Sequence, residues 1–422
     1  MKKDNIVLPN LKGIHLLFVG PYPPPFGGIA SHLKTLIPDL IKADAEAIAV
    51  VSFGKKNITE RINGITLYRF NIKFNIWRVF SLQNFSLIVT VVKEFRGRGL
   101  SQYFIFREVI KALIINTVAT KHKSNVVSNY MASSSLELLP LNKYWSGNMG
   151  ILLTVLGEIF EEPEFMMKHQ DIINQLLLIP DYVLSSSCHC ASSFHRIGNK
   201  RLIEPVYYGV ELDDVIDKEK GNSFRESHGI QQESLLVFFM GRMVKDMGLN
   251  VVLDTAEALL DSEPKVHLLI AGATGNLSSR AHGLVKQYPE RVIVFENISF
   301  QLKHELYSAA DILVAPSFNQ RACMGVSIKE AMAACLPVVA GAGGGIPEAV
   351  EDGVTGLLVP VSASGSIDGA KYLEAVRKLV GDSELRVRFG NAGRQRAENI
   401  FSVNITNHRI AEMIRTSVKV DL

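Results

Sequence analysis

The 422-residue sequence lacks any hydrophobic run that approaches the roughly 20 residues needed to cross a bilayer. Its first residues include lysines and an apolar run, but that run leads directly into a loop of glycine and proline at residues 20–28. This pattern indicates a first β-strand rather than a secretory signal. We therefore expect a protein without a membrane span, which touches a membrane only at its surface.

The sequence also has little excess of positive over negative charge, and it has few cysteines. The 45 Lys and Arg residues and 42 Asp and Glu residues leave a formal net charge of +3, so we expect no nucleic-acid partner. Cys188 and Cys190, two of only four cysteines, are one residue apart, which is not the spacing of the usual zinc pairs. We expect no metal at these thiols, and their scarcity fits a reduced, cytoplasmic setting.

The pattern that is present is an alternation of strands and helices that occurs twice along the chain. The length exceeds one compact core, so two domains are expected. Short apolar runs at 15–19, 47–53, 65–70 and 150–155 are typical of strands in the first half, and runs at 234–240, 266–271, 312–315 and 338–340 in the second. Alternation of this kind predicts the α/β class, with parallel sheets in two Rossmann-like domains. We place these domains at 1–205 and 206–400, with a C-terminal helix at 401–422 that packs back on the first.

Three strand ends carry residues suited to binding an anion. Gly27 and Gly28 precede a predicted helix, where a backbone without side chains can approach a phosphate, although glycines are common after strands in any α/β fold. Gly241 and Arg242 follow the first strand of the second half, and an arginine there can fork onto a diphosphate. The alternative interpretation of Arg242 is that it is a surface arginine in a turn.

The third strand end, at residues 316–330, is the most informative of the three. A loop follows a strand and leads into a helix with Glu330 about one turn in. The start of that helix can hold a phosphate, and the carboxylate can accept hydrogen bonds from two ribose hydroxyls. A second glycine-rich turn, GAGGGIPE, follows the next strand, so two such ends are expected to converge.

The order GR, then PS, G, EAMA, PVVA and GG.PE.V.DG.TG.LV resembles family 4 of the retaining glycosyltransferases, which have the GT-B fold. The resemblance covers most of the chain and is most specific at 234–360. It implies two domains facing a cleft and transfer of a sugar from a nucleoside diphosphate sugar, UDP- or GDP-linked, to a glycan or lipid-linked acceptor. It also implies that no metal or other cofactor is needed.

The resemblance, with the positions around it, defines a candidate site. We assign catalytic roles to Arg242, Glu330 and Glu158, and donor-binding roles to Gly27, Gly28, Gly241, Lys245, Asn297, Met324, Gly325, Val326, Ser327 and Gly344.

Three positions depart from the family pattern. Ala322 stands where its first glutamate is expected, Met247 where its diphosphate lysine is expected, and Leu156 where a histidine is common. Loss of one preorganised charged group typically costs about 10²–10³ in rate. Three interpretations therefore stay open: an active transferase of a divergent subfamily, a relative that binds nucleotide sugar without efficient transfer, and a substituted version of an active enzyme.

An aromatic and basic region lies in the first half. Its members are Lys73, Phe74, Trp77, Arg78, Phe80, Lys93, Arg96 and Arg98. Such a composition suits an amphipathic surface at the inner face of a membrane, and it suits equally well a set of core aromatics beside a solvated basic face.

Overall fold

The computed structural model describes residues 6–23, 28–80, 82–212 and 216–419. The chain forms two compact units. The first contains the described residues up to Tyr208 and from Asn404 onward, and the second runs from Gly209 to Val403.

The first unit is built on an eight-stranded sheet of order β3-β4-β2-β1-β5-β6-β7-β8. Its strands are β1 (His15–Val19), β2 (Ala47–Phe53), β3 (Ile58–Ile62), β4 (Ile65–Phe70), β5 (Val126–Tyr130), β6 (Gly150–Val155), β7 (Tyr182–Ser185) and β8 (Glu204–Pro205). Neighbouring strands are parallel except β3 and β4. Leu17 and Val19 enter one hydrophobic cluster and Leu16 and Phe18 another, so β1 is covered on both faces. Burial on both faces explains why the strands are continuous apolar runs.

The edge strand β3 was not predicted. It alternates between partly buried and exposed residues and therefore lacks the apolar run of the central strands. It pairs with β4 through a tight turn in which Asn63 and Gly64 both have positive φ, 48° and 84°. Asn-Gly is the dipeptide that such two-residue hairpin turns favour.

The helices of the first unit surround this sheet. They are α1 (Gly28–Lys42), α2 (Phe85–Phe95), α3 (Gln102–Lys121), α4 (Leu138–Tyr144), α5 (Glu158–Glu161), α6 (Pro163–Lys168), α7 (Gln170–Leu177) and α8 (Cys188–Ser193). A 3₁₀ segment at Ile72–Phe80 precedes α2 and α3. Gly97 and Gly99, with φ of 80° and 71°, separate these last two helices.

The second unit has a six-stranded sheet in which every pairing is parallel, of order β11-β10-β9-β12-β13-β14. Its strands are β9 (Leu235–Met240), β10 (Val266–Gly272), β11 (Val292–Glu296), β12 (Ile312–Ala315), β13 (Val338–Gly341) and β14 (Gly356–Val359). Its helices are α9 (Lys218–Ser227), α10 (Leu249–Ser262), α11 (Ser278–Gln287), α12 (Phe300–Ala309), α13 (Val326–Ala333), α14 (Ile346–Ala349), α15 (Gly369–Gly381) and α16 (Ser383–Ile400). Strands and helices alternate as the sequence predicts, and the α/β class with two parallel-sheet domains is confirmed.

The last helix, α17 (Val403–Ser417), lies almost entirely in the first unit. Ile410, Ala411 and Ile414 are buried in the hydrophobic cluster that includes Leu16 and Phe18 of β1. Asn407 Nδ2 also donates to Asp39 Oδ2 at 2.8 Å, which ties α17 to α1.

Candidate donor site

The sheet of the second unit contains a topological switch point between β9 and β12. From β9 the chain continues outward to β10 and β11, whereas β12 lies on the other side of β9 and continues to β13 and β14. Open parallel sheets bind ligands in the crevice outside the carboxyl ends of the strands at such a point. Gly241 and Arg242 follow β9 there, and the loop 316–325 follows β12.

The turn after β9 and the loop after β12 pack directly on one another. Gly248 has φ +81°, and a Cβ added to it would lie 2.0 Å from the carbonyl oxygen of Pro316. Ser317 Oγ donates to the carbonyl oxygen of Asp246 at 2.9 Å. Only glycine suits position 248, because it permits both this conformation and this approach.

The glycine-rich turn after β13 holds the same loop from its other side. Gly344 has φ +56°, and a Cβ there would lie 2.3 Å from the carbonyl oxygen of Ala322. The backbone N–H of Gly345 donates to that oxygen at 2.7 Å. The turn after β13 therefore meets the loop after β12 at Ala322, one of the positions that depart from the family pattern.

Glu330 lies on α13 and is largely buried. Its two carboxylate oxygens are bound by side chains of α12: Lys303 Nζ donates to Oε1 at 2.5 Å, and the Tyr307 hydroxyl donates to Oε2 at 2.9 Å. Lys303 and Tyr307 are four residues apart and so share one face of α12. The sequence did not identify either residue as part of the site. It shows that the two are four residues apart, but it does not show that their face of α12 packs against α13.

The protonation of Tyr307 follows from its surroundings. Burial, and then the Glu330 carboxylate, raise the pKa of the Tyr307 hydroxyl well above its usual range. The hydroxyl therefore stays protonated and donates to Glu330 at neutral pH. A carboxylate offers about four acceptor positions, so Glu330 can accept further hydrogen bonds from a ligand.

Arg242 and Lys245 are exposed at the switch point, whereas Met247 packs partly against the hydrophobic core. Lys245 and Met247 lie on the same single 3₁₀ turn, Lys245–Met247, with Asp246 between them. Asp246 forms an ion pair of 2.7 Å with Arg321 of the loop after β12. Arg321 was also missed in the sequence, because nothing local to it indicates a partner 75 residues away.

The remaining predicted donor residues occupy several places. Gly325, with φ +74°, precedes α13; Val326 begins that helix, Met324 is buried before it, and the Ser327 carbonyl accepts from the Tyr307 hydroxyl at 3.3 Å. Asn297 follows β11, where its Nδ2 donates to Thr274 Oγ1 at 2.7 Å, so its side chain binds the turn after β10.

The first unit contains the other predicted positions. Gly28 begins α1, and Gly27 lies outside the described residues. Glu158 is 0% exposed, and its oxygens accept the backbone N–H groups of Ala132 at 2.7 Å and Leu156 at 2.5 Å. Burial raises the pKa of Glu158 to about 7, although the backbone donors act in the opposite direction. In this arrangement Glu158 joins the segments that follow β5 and β6. Leu156 contributes its backbone N–H to this link, and its side chain packs against the hydrophobic cluster that includes Leu16 and Phe18.

The aromatic and basic region is partly exposed. Phe74 and Trp77 are 68% and 63% exposed, and Lys73, Lys93 and Arg96 are exposed near them in sequence. Arg78 and Arg98 instead bond protein groups, Arg78 to Asn75 and Thr117 and Arg98 to Glu94 and Gln175. The side chain of Phe80 lies outside the described residues.

Within the parts of the chain that the structure describes, no group of three or more His, Cys, Asp or Glu side chains is placed to hold a metal ion. Across the same residues, no helix is both long and apolar enough to span a bilayer. Between the two thiols predicted not to bind metal, His189 stacks on Phe160 with ring centroids 4.9 Å apart.

Comparisons with known proteins agree with this geometry. Residues 221–396 match the family model described as "Glycosyl transferases group 1". D-inositol 3-phosphate glycosyltransferase of Streptomyces avermitilis is 28% identical over 53% of this chain and 49% of its own length. Alpha-maltose-1-phosphate synthase of Mycobacterium tuberculosis is 35% identical over 41% of this chain and 46% of its own length. The chain thus spans about half the length of the curated relatives it matches.

Solved structures match over nearly the whole chain. HepE of Anabaena in complex with UDP has a TM-score of 0.71 at 16% identity, covering 96% of this chain and 100% of HepE. Sucrose-phosphate synthase from Thermosynechococcus elongatus has a TM-score of 0.72 at 18% identity, covering 95% of this chain and 98% of the synthase. At these identities the likeness concerns the fold, which is of the GT-B type. Residues 221–396 therefore resemble a glycosyltransferase group 1 domain, and the chain has the GT-B fold.

Proposed function

We propose that this protein is a family 4 retaining glycosyltransferase. It transfers a sugar from a UDP- or GDP-linked donor to a glycan or lipid-linked acceptor. The donor binds at the switch point of the second unit, and the acceptor binds mainly to the first. The GT-B fold, the group 1 domain and the named relatives support this reaction class.

The observation that carries the proposal is the placement of Glu330. It lies near the start of a helix that follows the switch-point loop, and Lys303 and Tyr307 hold its carboxylate in one orientation. A carboxylate fixed in this way is suited to accept two ribose hydroxyls, while the start of α13 accepts a phosphate.

The proposed mechanism is front-side substitution within an ion pair. Arg242 and the backbone N–H groups at 324–327 neutralise the diphosphate as its bond to the anomeric carbon breaks. The acceptor hydroxyl attacks from the same face, and its proton passes to an oxygen of the leaving phosphate. These protein groups supply the charge that a metal would otherwise supply, so we propose that transfer persists in the presence of EDTA.

The donor assignment is tested by thermal unfolding with a panel of UDP- and GDP-sugars. A ligand that binds only the folded state raises its stability by about 2.7 kcal/mol at a concentration one hundred times its Kd. We expect one base to raise the Tm, and Glu330→Gln to remove that shift while Glu384→Gln, an exposed control on α16, retains it. If no nucleotide sugar shifts the Tm of the wild-type protein, the donor site is wrongly assigned.

A second candidate function is binding of nucleotide sugar without efficient transfer. Met247 packs partly against the core, and Ala322 carries only a methyl group where the loop after β12 meets the turn after β13. Neither side chain can stabilise a leaving diphosphate.

Slow donor hydrolysis without acceptor separates these two functions. An active transferase releases free nucleoside diphosphate, whereas measurable donor binding without any turnover supports the binding protein. The double variant Met247→Lys with Ala322→Glu tests whether the substitutions limit the rate. If they do, hydrolysis rises by about 10²-fold or more, and an unchanged rate excludes this cause.

We further propose that the first unit works at the inner face of a membrane, in a cytoplasmic setting. The support is the exposure of Phe74 and Trp77 beside Lys73, since aromatic and basic side chains favour an anionic lipid surface. Sedimentation with vesicles tests this. We expect binding to phosphatidylglycerol vesicles and not to phosphatidylcholine vesicles, with loss in the variant Phe74→Ser, Trp77→Ser and no loss in Leu202→Ser, an exposed apolar control.

A further inference from the structure

The switch point carries positive charge in addition to Arg242, the arginine that the family pattern predicts. The turn 241–248 contains Arg242, Lys245 and the carboxylate Asp246, and the loop 316–325 contributes Arg321. These residues give the two packed segments a formal charge of +2. An anion with two or more negative charges is therefore favoured there, even though Met247 is uncharged.

The ion pair between Arg321 and Asp246 is weak, so a ligand can replace Asp246. Its guanidinium contacts Asp246 Oδ2 at 2.7 Å and Asn319 Oδ1 at 3.3 Å. The Arg321 and Asp246 side chains are 40% and 46% exposed. Ion pairs with this exposure contribute little to stability, so a competing anion can displace the carboxylate at small cost.

The position of the pair also suits a ligand of the crevice. Asp246 belongs to the turn after β9, and Arg321 belongs to the loop after β12, so the pair bridges the two strands that define the switch point. The contact between Ser317 Oγ and the Asp246 carbonyl holds these two segments together. A guanidinium offers a planar fork of donors that matches phosphate oxygens, which a methionine side chain cannot do.

We propose that Arg321 binds the diphosphate of the nucleotide sugar and replaces the positive charge that is missing at Met247. Asp246 occupies the guanidinium in the absence of a ligand and releases it when the diphosphate enters. In the transfer step the anomeric C–O bond breaks, and its electron pair passes to the terminal phosphate oxygen, whose charge Arg321 stabilises. The acceptor oxygen forms the new bond and its proton passes to the leaving phosphate. This assignment rests on the proposed function.

The test uses UDP and GDP, each compared with its nucleoside, uridine or guanosine. Binding of the diphosphates is measured by titration calorimetry, and binding of the weaker nucleosides by saturation-transfer NMR. We expect Arg321→Met to weaken the better diphosphate by on the order of tenfold or more and to leave its nucleoside unchanged. Addition of Met247→Lys to this variant should restore much of the lost affinity.

Asp246→Asn separates the proposed role from a purely structural ion pair. If Arg321 serves the ligand, Asp246→Asn frees its guanidinium, and diphosphate affinity stays the same or rises. If the pair only ties two segments together, both single variants weaken diphosphate and nucleoside alike, and the proposal is overturned. Arg280→Met removes an arginine from a similar exposed pair with Asp254 and should leave all affinities unchanged.

Failure of this inference and failure of the proposed function give different results. A wild-type protein that binds neither UDP nor GDP contradicts the proposed function. A wild-type protein that binds one of them, with an Arg321→Met variant that binds it equally well, contradicts only the role of Arg321.

Discussion

At the scale of single residues, the two buried carboxylates of interest differ in the groups that bind them. Glu330 is bound by two side chains, one of them charged, whereas Glu158 is bound by two backbone N–H groups. Burial without a charged partner favours the neutral form of the Glu158 carboxyl group. We therefore expect the two glutamates to respond differently to substitution.

Lys303→Met should weaken nucleotide binding through Glu330. Loss of the 2.5 Å contact removes a charge-assisted hydrogen bond and leaves the carboxylate less well oriented for the ribose. We expect a loss of about 1–2 kcal/mol in binding free energy, measured by calorimetry with the preferred nucleoside diphosphate. A matching diphosphate without the 2′ and 3′ hydroxyls is the control, and its affinity should change much less. Equal losses for both ligands would contradict the link to ribose.

Glu158 should make the stability of the protein depend on pH in a defined direction. Burial raises its pKa from the ordinary value of 4.5 to about 7 in the folded state, so between these pH values the folded state binds more protons than the unfolded state. Its contribution therefore falls as pH rises through this window, by at most about 1.4 kcal/mol per pH unit.

Glu158→Gln, which cannot ionise, provides the comparison for this effect. Urea unfolding from pH 4.5 to 7 should show the wild-type free energy of unfolding decline relative to that of the variant. Parallel pH profiles for the two proteins would exclude the expected titration. The neutral amide donates where the carboxylate accepts, so an offset independent of pH is also expected, from the loss of one backbone hydrogen bond.

At the scale of elements, the candidate site depends on close contacts between the segments that follow parallel strands. The turn after β9, the loop after β12 and the turn after β13 approach one another closely at backbone atoms. Such contacts require glycine at particular places, which is why the glycine positions are so informative in the sequence. The geometry of these segments therefore depends on main-chain conformation at Gly248 and Gly344.

Gly248→Ala should destabilise the second unit. The residue has φ +81°, and the added Cβ would lie 2.0 Å from the Pro316 carbonyl oxygen, so the turn and the loop must separate. We expect a loss of about 1–3 kcal/mol in the free energy of unfolding, together with weaker nucleotide binding. Gly283→Ala is the matched control: it lies inside α11 with open space around it, and alanine there should stabilise the helix by about 0.5–1 kcal/mol. The same sign for both variants would contradict this account.

At the scale of the whole molecule, the two compact units differ in the chemistry at their strand ends. The second unit combines Glu330 with the cations at the switch point. The first presents exposed aromatics at Phe74 and Trp77 and a buried carboxyl group at Glu158. This division is the basis of our proposal that the nucleotide binds to the second unit and the acceptor to the first.

Amide hydrogen exchange of the full chain should reveal this division. Binding of the preferred nucleoside diphosphate should slow exchange at 241–248 and 316–330, since these backbones are expected to face the ligand. Peptides from β3 and β4, at the edge of the first sheet, provide an internal reference that should not change. Slower exchange confined to the first unit would contradict the proposed binding of the nucleotide to the second.

Much of the architecture was already determined by the sequence, because its signals are local. The bounds predicted for β1, β2, β4, β6 and β12 match the structure, since each is a largely apolar run, and all but β6 are followed directly by a polar, glycine or proline residue. The strand–helix alternation indicated two parallel sheets, and glycines marked the close approaches at the carboxyl ends of the strands. Strand β3 was not predicted, because a half-exposed edge strand has no such apolar run.

Only the tertiary structure decided which side chains meet. Lys303 and Tyr307 reach Glu330 from 27 and 23 residues away, and Arg321 reaches Asp246 from 75 residues away. It also decided that Glu158 binds two backbone N–H groups. Contacts of this kind depend on the order in which strands join a sheet, and no local pattern of residues records that order.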